Sequence, residues 1–197
     1  LAAEGVGTVQ PPDAERERVR RYFDPLPFWY APFEHAQTDS TEFPLHALTQ
    51  RPPFMYHAWG SQNAWLRQIM ARNFLYLHPD TAARYGLADG DWAELRSHLS
   101  AITVPVKLTN NVQPDTVWTW NALGKRKRTW GLSADAPESN QGFLLNPLIS
   151  DLTPNADYAN ADPITGQAAW FDLRVALRKV APQSFSTPQF TPLGAPA

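Results

Sequence analysis

The segment from Arg51 to Asn63 is rich in side chains that can donate hydrogen bonds. Its donors are Arg51, His57, Ser61, Gln62 and Asn63. Trp59 and Trp65 flank them, and large rings of this kind can shield polar contacts from water. Asn63 also suits the cap of a helix over residues 63–70, because its side chain can accept from the free amides of the first turn. The segment can therefore bind a polar ligand or serve the local fold.

Three further positions carry polar groups that could face a ligand. Asn121 follows the predicted strand 116–120, and Asn146 lies in an apolar stretch. A buried amide without a partner costs roughly 1–3 kcal/mol, so each asparagine needs either a backbone partner or a ligand. Gln167 follows Gly166, which would allow close backbone approach. An ordinary turn explains Gly166 and Gln167 equally well.

The chain offers no pattern for autonomous catalysis. It has no cysteine, which excludes disulfides, thiolate metal ligands and a cysteine nucleophile. Gly60-Ser61-Gln62 is not a nucleophile elbow, and no His-Glu-x-x-His, P-loop or Gly-x-Gly-x-x-Gly motif is present. His57 lacks a nearby acid to make it a base. We therefore expect no catalytic residue and no metal ligand in this chain, and a small hydrolase would need a nucleophile–base pair that we do not find.

The charge balance limits the possible partners. Seventeen Lys and Arg stand against nineteen Asp and Glu, so we expect no nucleic-acid partner. The cationic run 125–128 could bind diphosphate, but four adjacent cations more often mark a solvated loop or a docking patch. No apolar run approaches the roughly 18 residues of a membrane span, and no signal peptide is evident, so we expect no direct membrane insertion. The compartment is then cytoplasm or periplasm, with the cytoplasm slightly favoured.

The periodicity between residues 43 and 180 predicts a mainly β domain. Apolar residues mostly alternate with a period of two, which is typical of half-buried strands. Pro105 should restrict its strand to an edge or a bulge. Short helices are predicted over residues 63–70 and 78–86. The predicted strands are 43–49, 74–77, 92–98, 101–108, 116–120 and 170–180, which together suggest a barrel with Greek-key-like crossings.

The two ends differ from this central part. Residues 1–42 should be a linker arm, with two helical turns that have little to bury, followed by an extended aromatic segment from Tyr22 to Phe33. Residues 181–197 are proline-rich and should form a flexible tail. We expect one barrel domain over residues 43–180. Because the chain begins at Leu1 without a methionine, we expect it to be a fragment or a processed chain.

The strand–loop–helix over residues 48–66 resembles the start of the C-terminal domain of molybdopterin oxidoreductases of the dimethyl-sulfoxide-reductase type. That family has a Thr-x-Arg strand end, here Thr49-Gln50-Arg51, then a His-Ser-like loop, here His57-Ala58, and then a helix that begins with asparagine, here Asn63. Ala58 stands where the family has serine. The spacing from residue 55 to residue 63 is most similar to the branch of polysulfide-, thiosulfate- and sulfite-converting enzymes.

Further blocks resemble the same family in the same order over roughly residues 43–180. They are His78-Pro79 with Ala82-Ala83, then Gly86-Leu87-Ala88-Asp89-Gly90-Asp91, Val112-Gln113-Pro114-Asp115-Thr116-Val117, Leu145-Asn146-Pro147-Leu148-Ile149 and Asp162-Pro163-Ile164-Thr165-Gly166-Gln167-Ala168. Any one block alone would be weak. Their shared order makes the resemblance specific.

The resemblance implies a double-psi β-barrel with short helices that covers one side of a molybdenum bis(molybdopterin guanine dinucleotide) cofactor. The metal, an iron–sulfur cluster and the substrate funnel would then lie in preceding domains of the same large subunit, and an electron-transfer subunit is the expected partner. The isolated domain should be inactive. The rival hypothesis is a β-barrel interaction module without a cofactor, because fold alone permits both functions.

A pterin dinucleotide needs loop amides, amide side chains and a few cations from its receptor. The residues implied as cofactor-binding are Thr49, Arg51, His57, Trp59, Ser61, Asn63, Asn121, Asn146, Gly166 and Gln167. Convergence of these residues on one concave face would favour a cofactor, and dispersal would favour the interaction module. We expect Trp118, Trp120, Trp130 and Trp170 to be core or interface residues rather than stacking platforms.

Overall fold

The computed structural model describes residues 4–23, 26–27, 29–70, 72–121, 142–162, 165–169, 171–183 and 191–192. Its helices are α1 (Arg16–Tyr22), α2 (Phe33–Gln37), α3 (Ala64–Ile69) and α4 (Pro79–Arg84), with short 3₁₀ helices over Asp13–Glu15, His57–Gln62 and Asn146–Leu148. Its strands are β1 (Leu45–Gln50), β2 (Leu75–Leu77), β3 (Trp92–Arg96), β4 (Ser100–Leu108), β5 (Thr116–Trp120), β6 (Arg174–Val180) and β7 (Thr191–Pro192).

The first six strands close into a barrel. Around it the order is β1, β5, β2, β4, β3 and β6, and β6 returns to β1. The pairs β1–β5 and β2–β4 are parallel, and the other four pairs are antiparallel. Closure leaves these strands without a free edge. The predicted fold class, a mainly β double-psi barrel with short helices, is confirmed.

The alternating pattern of the strands fills the barrel interior. In β1, Leu45, Ala47 and Thr49 are buried, whereas the residues between them are partly or fully exposed. β5 buries Val117 and Thr119 in the same way. Successive side chains of a strand point to opposite faces, so one face of every strand supplies the core. The core therefore contains mostly aliphatic residues, which are Leu45, Ala47, Leu75, Leu77, Ala93, Leu95, Ile102, Val104, Val106, Val117, Leu173, Val175 and Leu177.

Pro105 does not lie on an edge strand, although the sequence suggested an edge or a bulge. β4 pairs with β3 over residues 101–105 and with β2 over residues 106–108. Pro105 therefore stands where β4 exchanges one partner for the other. The missing N–H is tolerated at this changeover, because no regular ladder continues through the position.

The long connection between β5 and β6 covers one end of the barrel. Residues 122–141 lie outside the described residues, but Phe143, Leu145 and Leu148 are buried in the core. The hydroxyl of Ser100 donates to the carbonyl of Pro147, and the Asn73 side-chain amide donates to the carbonyl of Phe143 at 3.0 Å. The sequence predicted this stretch only as an aperiodic connection. Its packing instead supplies part of the core.

The predicted N-terminal arm packs against this connection. Arg18 of α1 is 8% exposed, and its guanidinium donates to the carbonyls of Ala159 and Ala161 at 3.1 and 3.0 Å. The guanidinium also lies 5.2 Å from the ring centre of Phe33 and 4.7 Å from that of Tyr158, a cation–π arrangement. The expectation that this helix has little to bury is therefore wrong at Arg18.

The aromatic segment that follows packs on itself in part. The rings of Tyr30 and Phe33 lie 4.9 and 5.3 Å from the ring of Tyr22 in edge-on geometry, whereas Trp29 is 80% exposed. Phe28 lies outside the described residues. At the other end of the chain, Thr191–Pro192 pairs with the start of β4, and most of the predicted flexible tail lies outside the described residues. Among the helices that the structure describes, none has the length and apolar character to cross a membrane.

Candidate functional site

A cleft of about 840 Å³ lies over the outer face of the β1–β5 pair and reaches the end of both strands. Parallel pairing sets Gln50 beside Trp120, so the two strands end together. The chain that follows each strand therefore enters the same cleft. The lining residues are Leu48, Thr49, Gln50, Arg51, His57, Asn111, Val112, Gln113, Thr116, Trp118, Trp120, Asn121 and Phe171.

Two residues that line this cleft each carry a buried side-chain oxygen that has no hydrogen-bond partner among the described residues. These oxygens are Thr49 Oγ1, at the inward face of β1, and Asn121 Oδ1, directly after β5. We call them the cleft oxygens. The backbone around them is satisfied, because the amide of Asn121 donates to the carbonyl of Gln50 at 2.9 Å. Only the side chains remain to be satisfied.

His98 Nδ1 and Asn160 Oδ1 are also buried without a hydrogen-bond partner in the part of the chain that the structure describes. His98 Nδ1 lies 3.7 Å from a Glu34 carboxylate oxygen, and the Asn160 amide nitrogen donates to the carbonyl of Ser150 at 3.3 Å. Neither residue is among those that line the cleft. Thr49 and Asn121 differ from these two residues because both are among the residues that line the cleft.

Arg51 and His57 stand at the entrance of the cleft, and both side chains are exposed. Arg51 is the cationic residue among the described lining residues and can bind an anionic group. His57 has φ of +49°, in the left-handed region that costs a non-glycine residue energy. Such strain is typical of functional segments. It supports a ligand contact by the 51–63 loop without making His57 a catalytic base.

The apolar wall of the cleft is built from alternate residues of β5 and β1. Trp118 and Trp120 are half-buried and face outward from β5, and Leu48 of β1 is 37% exposed beside Trp118. Phe171 is 50% exposed and also borders the cleft. The sequence suggested that Trp118 and Trp120 were core or interface residues. Both face outward and border the cleft, so neither lies in the barrel core.

Four of the predicted site residues come together in the cleft: Thr49, Arg51, His57 and Asn121. Asn63 has the local role that the sequence left open, because its Oδ1 accepts from the amide of Trp65 at 2.9 Å and caps α3. Trp59 is 65% exposed and is not among the described residues that line the cleft. The side chain of Ser61 lies outside the described part of the structure.

The remaining three predicted residues lie elsewhere. Asn146 begins the short helix that covers the barrel end, and its side chain is exposed. Gly166 and Gln167 are exposed in a turn that is closed by Asp162, whose carboxylate accepts from the amide of Thr165 at 2.7 Å. None of the three is among the described residues that line the cleft. Gly166 has φ of +73°, which the turn itself requires.

Sequence reasoning missed the far side of the cleft, which the β4–β5 connection supplies through Asn111, Val112 and Gln113. The resemblance covered residues 112–117 as a matching block, but nothing in their types indicated a site. Their position becomes clear only when β5 pairs with β1. One feature of the sequence could have indicated this side of the cleft: residues 111–113 belong to the polar connection that precedes β5, which pairs in parallel with β1.

Titratable groups cluster at the opposite end of β1. Arg174 is 5% exposed, and its guanidinium donates to the carbonyl of Phe43 at 3.0 Å and to Nε2 of His46 at 2.8 Å. Burial and then the charge of Arg174 lower the pKa of His46 below its ordinary value. Burial likewise raises the pKa of Asp172. This cluster joins α2, β1 and β6. In the described part of the chain, no group of acidic residues and histidines is arranged to hold a metal ion.

The family model of the molydopterin dinucleotide binding domain matches residues 45–162, which run from the start of β1 to the connection before β6. The chain belongs to this family. The predicted resemblance to molybdopterin oxidoreductases is thereby confirmed.

Relatives of this domain are much longer proteins. A sulfite dehydrogenase subunit of Allochromatium vinosum is 48% identical over 98% of this chain and 21% of its own length. Trimethylamine-N-oxide reductase of Haemophilus influenzae is 31% identical over 46% of this chain and 11% of its own length. The chain thus spans about a fifth or less of these curated relatives. The first relative agrees with the predicted similarity to the branch that contains sulfite-converting enzymes.

A solved structure shares the fold. Acetylene hydratase from Pelobacter acetylenicus superposes with a TM-score of 0.59 over 80% of this chain and 22% of its own, at 20% sequence identity. At that identity the likeness shows the barrel architecture alone.

Proposed function

We propose that this domain holds a molybdopterin guanine dinucleotide within the large subunit of a molybdenum oxidoreductase, and that the cleft over β1 and β5 is its binding surface. The two cleft oxygens carry this proposal. Leaving a buried polar atom unsatisfied costs about 1–3 kcal/mol. A family that binds a dinucleotide, together with two such atoms in one cleft, supports a ligand as their partner.

The chemistry of the cleft suits such a ligand. The carbonyl oxygen of Asn121 can only accept, and the pterin and guanine rings carry N–H groups that donate. The hydroxyl of Thr49 can donate or accept. Arg51 can pair with the diphosphate through charge-assisted hydrogen bonds, which are stronger than neutral ones. When bound, the molybdenum cofactor supplies the redox step. This chain's residues bind the cofactor, orient it and exclude water from it.

The full-length protein extends beyond the cofactor domain in this proposal. We propose that residues 43–180 form the cofactor-binding barrel and that preceding domains supply an iron–sulfur cluster, the metal environment and the substrate funnel. The sulfite dehydrogenase relative supports a small sulfur oxyanion as substrate, and an electron-transfer subunit would then be a partner. The chain alone should show no redox turnover.

A β-barrel interaction module without a cofactor remains the rival class, and we do not favour it. Asn146 and Gln167 are dispersed, as that hypothesis predicts, but Thr49, Arg51, His57 and Asn121 converge. A docking surface also gives no reason for two residues of one cleft to carry buried side-chain oxygens without a partner among the described residues. Four of the ten predicted residues converge on one cleft, and this convergence is the reason that we favour the cofactor over the interaction module.

The cofactor content of two matched double variants tests the proposal. The full-length subunit is purified with Thr49→Val and Asn121→Ala together, and separately with Asn146→Ala and Gln167→Ala. Each lost buried bond should weaken retention by about tenfold or more. We expect the first variant to lose molybdenum and guanine nucleotide, and the second to keep both. Full cofactor content in the first variant, or loss only in the second, would place the site elsewhere.

A further inference from the structure

The indole of Trp118 is held rigidly in the wall of the cleft. It stacks on the ring of Tyr76 from β2, with ring centres 4.3 Å apart and an interplanar angle of 12°. Antiparallel pairing of β2 and β5 places these two residues directly opposite each other. Cross-strand aromatic pairs of this kind stabilise a sheet and fix both rings. The ring of Trp118 therefore has little freedom to lose when a ligand binds.

Trp120 completes this arrangement from the side. Its ring lies edge-on to Trp118 at 4.6 Å and 89°, and its indole N–H donates to the hydroxyl of Tyr76 at 3.3 Å. The polar atom of Trp120 is thus satisfied within the aromatic cluster. We call Tyr76, Trp118 and Trp120 the aromatic wall. Trp118 remains half-buried, and it borders the cleft together with Leu48 and Asn121.

The aromatic wall and the cleft oxygens each favour a different property in a ligand that would contact both. A preformed aromatic surface favours a flat π-system. The side-chain carbonyl of Asn121, three residues after Trp118, can accept a hydrogen bond from an N–H or O–H group. A phosphate has neither a π-face nor an apolar face to place against the rings. A flat nitrogen heterocycle has both a π-face and N–H groups at its edge.

We propose that Trp118 is a stacking residue for a flat nitrogen-heterocyclic ring of the bound dinucleotide, either the purine or the pterin. This inference rests on the proposed function, since it assigns a part of the same ligand to a part of the same cleft. Tyr76 supports Trp118 from behind and acts as a positioning residue. Replacement of a stacking side chain typically weakens binding by about 5- to 150-fold.

A fluorine NMR titration of the full-length subunit, produced without its cofactor, tests the stacking directly. The subunit is labelled with 5-fluorotryptophan, and Trp118→Phe identifies the Trp118 signal. Guanosine monophosphate and pterin-6-carboxylate are added separately, with ribose 5-phosphate as the probe that lacks a heterocycle. A ring stacked on the indole shifts the Trp118 signal upfield through its ring current. The signal of Trp65, which is 77% exposed and outside the lining set among the described residues, should not move.

The outcomes separate the two rings and the two proposals. A shift with guanosine monophosphate alone assigns the purine, and a shift with the pterin alone assigns the pterin. The protein is also labelled with nitrogen-15. If the amide signals of Thr49 and Asn121 move while the fluorine signal of Trp118 does not, the cleft binds the ligand and stacking is wrong. If no probe moves any of these signals, both the stacking and the proposed cleft are wrong.

Dinucleotide release from the full-length subunit gives an independent test. Trp118→Leu should release the dinucleotide about 5- to 150-fold faster, whereas Trp118→Phe should keep most of the retention because it keeps an aromatic face. Trp65→Leu is the matched control. A purely structural role would lower the melting temperature of the leucine variant and leave its release rate unchanged, and that result would overturn the proposal.

Discussion

Asn73 and Asn121 lie at the same end of the barrel, but they differ in the hydrogen bonds of their side chains. Asn73 is fully buried, and its amide nitrogen donates to the carbonyls of Trp120 and Phe143 at 2.8 and 3.0 Å. Its carbonyl oxygen accepts from the Thr119 hydroxyl at 3.0 Å and from the amide of Phe74 at 3.1 Å. Asn121 lies one residue beyond the strand that Asn73 secures, yet its Oδ1 is one of the cleft oxygens.

The neighbouring threonines repeat the contrast. Thr49 and Thr119 are direct partners in the parallel β1–β5 register, and both are buried. Thr119 donates to Asn73, whereas Thr49 carries the other cleft oxygen. The barrel can therefore satisfy a buried amide and a buried hydroxyl at this level. Among the described residues, Thr49 Oγ1 and Asn121 Oδ1 have no hydrogen-bond partner, and we propose a ligand as their partner.

The largest expected effect is on Asn73. Asn73→Ala should lower the free energy of unfolding by at least about 3 kcal/mol, because it leaves several buried partners unsatisfied at once. Denaturant unfolding followed by circular dichroism measures this loss. The same measurement on Asn121→Ala should show a loss under about 1 kcal/mol. Equal losses in the two variants would remove the contrast on which the account depends.

A smaller effect is expected at Asn63, the predicted site residue that the structure explains by a local bond. Asn63→Ala should cost about 1 kcal/mol of stability, since it removes the cap of α3. Asn63→Ser should restore most of that stability because serine also caps helices well. Cofactor retention in the full-length subunit should stay unchanged. If Asn63→Ala lost cofactor while its free energy of unfolding stayed unchanged, Asn63 would be a cofactor-binding residue after all.

Arg174 gives a charged counterpart to Asn73, because its buried guanidinium also has a protein partner, the half-buried side chain of His46. The guanidinium can only donate, so Nε2 of His46 must accept and the imidazole is neutral. The pKa of His46 in the folded protein lies below its unfolded value of about 6.5. The unfolded chain therefore binds the extra proton first, and stability should decrease as the pH is lowered through about 6.5.

This expectation is checked by measuring the free energy of unfolding at several pH values between about 5 and 8, the range in which histidine titrates. His46→Asn should flatten the dependence in that window. His57→Asn is the control, because His57 is exposed at the cleft entrance. The effect should be modest, since His46 is only half-buried and solvent screens part of the charge. A slope that persists in His46→Asn and disappears in His57→Asn would contradict the assignment.

The sequence predicted the barrel well because alternation reports directly which strand face is buried. Leu45, Ala47 and Thr49 follow that rule, and the observed strands β1 to β6 lie within about two to four residues of the predicted bounds, the usual error of sequence reasoning. Arg18 could not be predicted in the same way. Its partners are carbonyls of residues 159 and 161, more than a hundred positions away in an aperiodic connection.

The candidate site was predictable only where it follows a strand. Thr49, Arg51 and Asn121 come at the ends of paired strands, so their convergence depends on one register. Asn146 and Gln167 lie in the connection between β5 and β6. The apolar residues of this connection have no regular spacing, so the sequence does not predict its path. The prediction that Trp118 is a core or interface residue stays a prediction, because an outward tryptophan in a strand is equally typical of an interface and of a binding cleft. The role that we propose for it depends on its stacking with Tyr76, which the β2–β5 pairing brings about.

The most direct test of the central claim compares melting temperatures with and without cofactor. The full-length subunit carrying Thr49→Val and Asn121→Ala is produced in a host that makes the cofactor and in one that does not. A ligand that binds only the folded state raises the melting temperature according to its affinity. Without cofactor, we expect the variant and the parent to have the same melting temperature. Cofactor binding should then raise the melting temperature of the variant by less than it raises that of the parent. A lower melting temperature of the cofactor-free variant with an undiminished gain on loading would show that the cleft oxygens are structural.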